Sequence, residues 1–84
     1  MNIDQLIKMA NQIGDFFTAM PDPYEGLEGV ANHIEKFWEP RMRKALLDFL
    51  EAHPDGKADT TRLNEISRTA VLKYRDRLMP RQTR

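Results

Sequence analysis

Eighty-four residues suffice for one domain and no more, and a domain this small buries only about 60% of its unfolded surface, which leaves its stability marginal. There is no cysteine, so disulfide staples and thiolate metal sites are excluded, and two isolated histidines, His33 and His53, do not make a metal site. Thirteen Lys and Arg balance thirteen Asp and Glu, and a net charge of zero gives nucleic-acid phosphates no long-range attraction. The start, Met1-Asn2-Ile3-Asp4, lacks the basic segment and apolar run of a signal peptide. No apolar run approaches the ~20 residues of a membrane span. The expectation is a small, soluble, cytoplasmic protein with no membrane or nucleic-acid partner. The zero total hides a division: residues 1–40 carry seven acids against two lysines, and residues 41–84 six acids against eleven bases. Such asymmetry can mark a nucleic-acid-binding part; the plainer expectation is that the two halves pack together and neutralise each other.

Four helical segments follow in chain order. The first is expected over about 3–20, with Asn2 as N-cap and Gln5 in capping-box position. Its stripe of Ile3, Leu6, Ile7, Ala10, Ile13 and Phe17 recurs at helical spacing, and Met9, Phe16 and Met20 widen it to about half the circumference, beyond the ~100° of an ordinary surface helix. The break MPDPYEG supplies Asp22 as N-cap, Pro23 for the first helical position and Glu25 for a capping box. A second helix is expected over about 23–38, facing inward with Leu27, Val30, Ala31, Ile34 and Trp38. Gly26 and Gly29 cost it roughly 1 kcal/mol each, which marks either a frayed turn or a close approach by another backbone. Pro40 ends this helix and opens a third over about 40–52 on Met42, Ala45, Leu46, Phe49 and Leu50. His53-Pro54-Asp55-Gly56 reads as a turn. A fourth helix is expected over about 61–78 on Leu63, Ile66, Ala70, Tyr74 and Leu78, with Pro80 ending it and residues 80–84 a frayed tail. Nothing alternates at period two. The reading is all-α: one domain over 1–84, a small bundle of about four helices.

The chemistry of catalysis is missing from this pattern. Gly26-Leu27-Glu28-Gly29 has neither the spacing nor the preceding strand of a phosphate loop. Ser67 is the sole serine, in mid-helix, with no nucleophile elbow. Zinc-protease and calcium-loop patterns are absent. The chain is therefore read as no enzyme on its own, binding no cofactor and no metal, and what remains is binding. Arg68, Lys73, Arg75 and Arg77 make the fourth helix basic, which a DNA-binding reading would place in a groove; a solvated face is the simpler account. Met9, Phe16, Leu47, Leu72 and Met79 lie off the narrow core stripes, and methionine and aromatics are favoured at partner surfaces.

The stretch His33-Ile-Glu-Lys-Phe-Trp-Glu-Pro-Arg-Met-Arg43 breaks local rules. Glu35 and Glu39 sit at the negative end of one helix dipole, and Arg41 and Arg43 at the positive end of the next, each unfavourable by about 0.3–1 kcal/mol if exposed. Either the acids and arginines pair across the junction, or the arginines reach carboxylates or carbonyls of a partner. Arg43 falls between Leu47 and Leu50, so its stem should lie on apolar surface. Trp38 is expected to anchor the core, with His33 and Phe37 together at the edge of the stripe.

Lys8-Met9-Ala10-Asn11-Gln12-Ile13, followed after the proline-rich break by Val30-Ala-x-His33-Ile34-x-x-Phe37-Trp38-x-Pro40-Arg41-Met42-Arg43, resembles the delta subunit of NAD-dependent formate dehydrogenases. The resemblance covers most of residues 4–52 and thins over 53–84. The family often has Asp before the proline, where Glu39 stands here. The resemblance implies an accessory subunit supporting assembly or stability of a complex that oxidises formate. In that complex a molybdenum or tungsten pyranopterin, iron–sulfur clusters, flavin and NAD are carried by other subunits. The implied partner is the large catalytic alpha subunit, with beta and gamma as further candidates. The expected contact surface centres on Asn11, Gln12, His33, Phe37, Arg41 and Arg43, backed by Met9 and Phe16. A maturation chaperone for the molybdenum-cofactor subunit is the alternative, and a small DNA-binding helical protein the third.

Overall fold

The computed structural model describes residues 2–81; the tail expected over 80–84 lies, from residue 82 on, outside the described residues. Five helices follow one another: α1 (Ile3–Thr18), α2 (Pro23–Phe37), α3 (Pro40–Ala52), α4 (Glu65–Lys73) and α5 (Arg75–Leu78). The described residues form no named strand; the one bridge, Lys57 to Arg62, is isolated.

Caps explain the first two starts and a proline the third. The Asn2 side chain accepts the Asp4 N–H at 2.8 Å. Asp22 accepts the Tyr24 N–H at 2.9 Å, with Pro23 pre-set in the first turn. Glu39 precedes Pro40 but makes no side-chain cap bond. α1 closes at Thr18 rather than Met20: the Ala19 N–H reaches back to the Phe16 carbonyl and the Met20 N–H to that of Phe17, and the Thr18 hydroxyl donates to the Gly14 carbonyl at 2.8 Å.

The fourth helix differs most from its expected span of 61–78. It starts at Glu65 and breaks at Tyr74, leaving the short α5. Residues 56–63 instead fold into a tight loop. The Gly56 N–H donates to the His53 carbonyl, Ala58 to Thr61 and Leu63 to Gly56, at 2.8–2.9 Å. Gly56 has φ of +77°, a conformation that glycine adopts without strain. Leu63, expected on the helix stripe, is buried from the loop instead. Asn64 is the cap, its Oδ1 accepting the Ser67 N–H at 3.0 Å.

α1 packs against α2, α3 and α4, while α2 packs against α4 and α5. The core runs through Leu6, Ile7 and Ala10 of α1, Val30 and Ile34 of α2, Leu46 and Leu50 of α3, Ala70 and Val71 of α4 and Leu78 of α5. Trp38 is buried among them at the α2–α3 corner. The shortest extent is 19 Å, close to two helix diameters, so the fold is two layers thick.

Two glycines set the helix spacing. A Cβ on Gly14 would come within 2.7 Å of Asn64 Oδ1 and 2.8 Å of Ile66 Cγ2, so side chains from the start of α4 pack directly on the bare backbone of α1. A Cβ on Gly26 would lie 2.9 Å from the Phe17 carbonyl oxygen. Of the two accounts of Gly26, close approach by another backbone is the one that holds, since the residue is buried inside a formed helix.

Candidate functional site

The α2–α3 corner resolves the misplaced charges individually. Arg43 has the wrong sign for its own helix and the right one for its neighbour. Its Nη1 donates to the Glu35 carbonyl at 3.2 Å, one of the last-turn carbonyls that α2 cannot satisfy internally, so a cation sits at the negative end of the α2 dipole. Its stem is half-buried, and its Nε–H is enclosed without an acceptor. The Glu35 carboxylate pairs with Arg77 of α5 at 2.9 Å, and Arg77 also donates to Asn32 and stacks on Tyr74. Arg41 stands apart: among the described residues its only ionic neighbour is Glu39 at 3.6 Å, with the two side chains 82% and 69% exposed, a geometry that contributes little. The junction therefore consumes Arg43 and leaves Arg41 in solvent.

The expectation that the two halves neutralise each other is met sparsely. Arg77–Glu35 is the one ion pair among the described residues that ties residues 1–40 to a distant part of 41–84. Arg41–Glu39 merely straddles the boundary, and Lys44–Asp48, Arg68–Glu65 and Arg75–Glu51 lie within the second half. The arginines of the basic segment are themselves engaged, since Arg68 also donates to the Pro54 carbonyl at 2.8 Å.

Between α1 and α2 the surface opens into a groove of about 450 Å³ lined by Met9, Gln12, Ile13, Phe16, Phe17 and His33. Met9, Gln12 and Phe16 share one side of α1 because three and four residues separate them. Phe16 is 72% exposed and meets Phe17 edge-to-face with ring centroids 5.0 Å apart. The Phe17 ring lies over Gly29, where a Cβ would stand 3.0 Å from Cζ. On the facing helix the His33 ring stacks on Phe37 at 4.8 Å, and Phe37 is 70% exposed. The result is an apolar trough with aromatic lips, one imidazole and one amide.

Met9, Gln12, Phe16 and His33 are thus brought together, and Phe37 extends their surface. Asn11 is not among them. Its side-chain N–H donates to the Arg62 carbonyl at 2.8 Å, its Oδ1 accepts the Asn64 N–H at 2.7 Å, and Asn64 returns a bond to the Asn11 carbonyl at 3.0 Å. Asn11 ties α1 to the loop before α4, so its amide is not free to face a partner. Arg43 is withdrawn for the reason given above. Leu47, expected off the core stripe, is 3% exposed: α3 packs against both α1 and α5, so a second side of it is covered. Leu72 and Met79 do remain exposed. Sequence reasoning assigned Ile13 and Phe17 to the core and missed that they wall the groove; Gly29 without a side chain opposite an aromatic stripe was the available signal.

Among the described residues no three of His, Asp and Glu gather around a common metal position, and no helix is long and apolar enough to cross a membrane. Ser67 is fully buried, and its hydroxyl donates to the Ala10 carbonyl at 2.9 Å, joining α4 to α1. A family model, the NADH-dependent formate dehydrogenase delta subunit (FdsD), matches residues 5–71. That range reaches beyond the 4–52 over which the resemblance was expected to be strong, and takes in the α4 seam with Asn64 and Ser67. No curated protein and no solved structure matches the chain.

Proposed function

The chain belongs to the NADH-dependent formate dehydrogenase delta subunit family, and from that membership we propose that it is a non-catalytic accessory subunit of a cytoplasmic formate dehydrogenase complex. Its role is to support assembly or stability of that complex, and its contact is the large catalytic alpha subunit. In this reading the molybdenum or tungsten pyranopterin, the iron–sulfur clusters, the flavin and NAD are held by the other subunits. The supporting observation is the α1–α2 groove, where two phenylalanines stand about 70% in solvent around a half-buried histidine. Clustered exposed aromatics on a domain with little core to spare favour a surface covered by a partner. Arg41, on the same corner as Phe37 and without a strong intrachain partner, supplies a guanidinium for a carboxylate or carbonyl across the interface.

The test is co-expression with the catalytic subunits. Phe16→Glu with Phe37→Glu should leave the isolated chain folded, because both side chains are already solvated. It should abolish co-purification with the complex, and Arg41→Glu should weaken it. Co-purification at the wild-type level with the doubly substituted chain would show that this face is not the contact. The subunit inventory of the mature, active complex separates a resident subunit from a maturation chaperone: a resident is present in stoichiometric amount, a chaperone is absent.

A further inference from the structure

A second groove lies on the other side of Phe17, away from the aromatic trough. It has a volume of about 490 Å³ and is walled by the end of α1, the start of α2 and the start of α4. Its floor is Phe17, Met20, Leu27 and Ile66. The two close glycine approaches fix its walls: Gly26 against the Phe17 carbonyl, and Gly14 against Asn64 and Ile66. The groove is therefore built by the close packing of three helices rather than by a movable loop.

Its polar lining is one-sided in charge. Asp15 and Glu65 face it and no lysine or arginine does. Among the described residues Asp15 receives the amide of Asn64 on one carboxylate oxygen, at 3.1 Å, and nothing on the other. Glu65 is shared with Arg68 at 3.3 Å. Beyond the lining, residues 9–35 hold four further acids and not one lysine or arginine; Glu35 pairs with Arg77, while Asp22, Glu25 and Glu28 at the start of α2 have no ion-pair partner among the described residues. Asp22 and Glu25 have a local use at the positive end of the α2 dipole; Asp15, near the end of α1, has the opposite sign from the one its own dipole favours. An apolar floor beside Asp15, with a free carboxylate oxygen, and Glu65, shared with Arg68 and the Thr69 hydroxyl, is complementary to an apolar side chain flanked by cations.

We propose that this groove docks a segment of a partner polypeptide in which a large apolar residue is flanked by lysine or arginine. The apolar side chain enters between Leu27 and Ile66, and the cations meet Asp15 and Glu65. The site is separate from the α1–α2 trough, so one small chain presents two faces to its assembly. The accessory-subunit reading enters only in naming which polypeptide carries the segment.

The full-length chain, isotope-labelled, is titrated with an amidated peptide of alternating leucine and lysine and, separately, with its leucine–glutamate counterpart. The lysine peptide is expected to give saturable amide shifts at Gly26, Leu27, Ile66 and Thr69 that weaken as salt is raised. The glutamate peptide is expected to give none. Asp15→Asn with Glu65→Gln keeps the size of both residues while removing their charge, and is expected to weaken binding roughly fivefold to tenfold. The proposal is overturned by an absence of saturable shifts, by equal binding of the two peptides, or by shifts that map to Met9, Phe16 and His33 instead. The first two readouts need only the wild-type chain, so a variant that fails to fold does not decide the matter. Complex assembly is scored separately through Phe16 and Phe37, so failure here leaves the accessory-subunit reading standing, and the reverse also holds.

Discussion

Arg43 makes one hydrogen bond and strands one donor, and the two effects are of similar size. A charge-assisted bond such as the one to the Glu35 carbonyl contributes about 1.5–3 kcal/mol, while an enclosed donor left without an acceptor costs about 1–3 kcal/mol. What remains is the stem, which covers apolar surface as long cationic side chains do. Arg43→Met, which keeps the stem and removes both polar effects, should therefore change stability by less than about 1 kcal/mol. Arg43→Ala, which removes the stem as well, should cost about 1–2 kcal/mol. Urea denaturation of the two variants side by side measures the difference. At this scale the sequence was half legible. The wrong sign of Arg41 and Arg43 could be read from the helix dipole, and helical spacing put the Arg43 stem on apolar surface, but nothing local named the Glu35 carbonyl as its partner. Asn11 was misjudged for a related reason: its partners, Arg62 and Asn64, lie more than fifty residues away, and no local pattern names them.

Among the elements, α1, α2 and α3 could be read because Asn2, Asp22-Pro23 and Pro40 are unambiguous starts. The start of α4 could not. Thr60, Thr61 and Asn64 are all competent caps, and the choice is made by Asn11 and by the loop bonds of Gly56 and Leu63, which are tertiary. Its break at Tyr74 has no proline or glycine to announce it. The glycine contacts between elements separate into two kinds. Replacing a helical glycine with alanine gains about 1 kcal/mol of propensity, against about 1–3 kcal/mol for overpacking. At Gly14 the obstructing atoms belong to the capping Asn64, to Ile66 and to the buried Ser67, all fixed in the α1–α4 seam, so Gly14→Ala should lose about 1–2 kcal/mol. At Gly29 the obstruction is the ring of Phe17, which has an open groove to swing into. Gly29→Ala should stay within about 1 kcal/mol of wild type while altering the shape of the trough. Denaturant midpoints check the energies, and the near-ultraviolet signal of the phenylalanines reports the ring.

For the whole molecule, the family match over 5–71 includes the α1–α4 seam and stops short of α5, which is tied on through Arg77, Glu35 and Asn32. The all-α class, the small size and the aromatic surplus on α1 were readable because each is a property of composition or period. The second groove was not, because it exists only where three chain segments meet. The seam also bears on the order of events in folding. α1 and α2 are neighbours in sequence and can pair early, whereas the Asn11–Asn64 bonds close a loop of 53 residues, a late step whose entropy must be met before its contacts form. Asn64→Ala removes the cap and the side-chain amide bonds to the Asn11 carbonyl and Asp15, keeping the main-chain N–H bond to Asn11 Oδ1, a loss of about 2 kcal/mol. If the seam closes after the transition state, stopped-flow kinetics should show unfolding accelerated roughly thirtyfold and refolding almost unchanged. The asparagine pair then acts as a latch on the lifetime of the folded chain, setting how long it persists before a partner arrives rather than how quickly it forms.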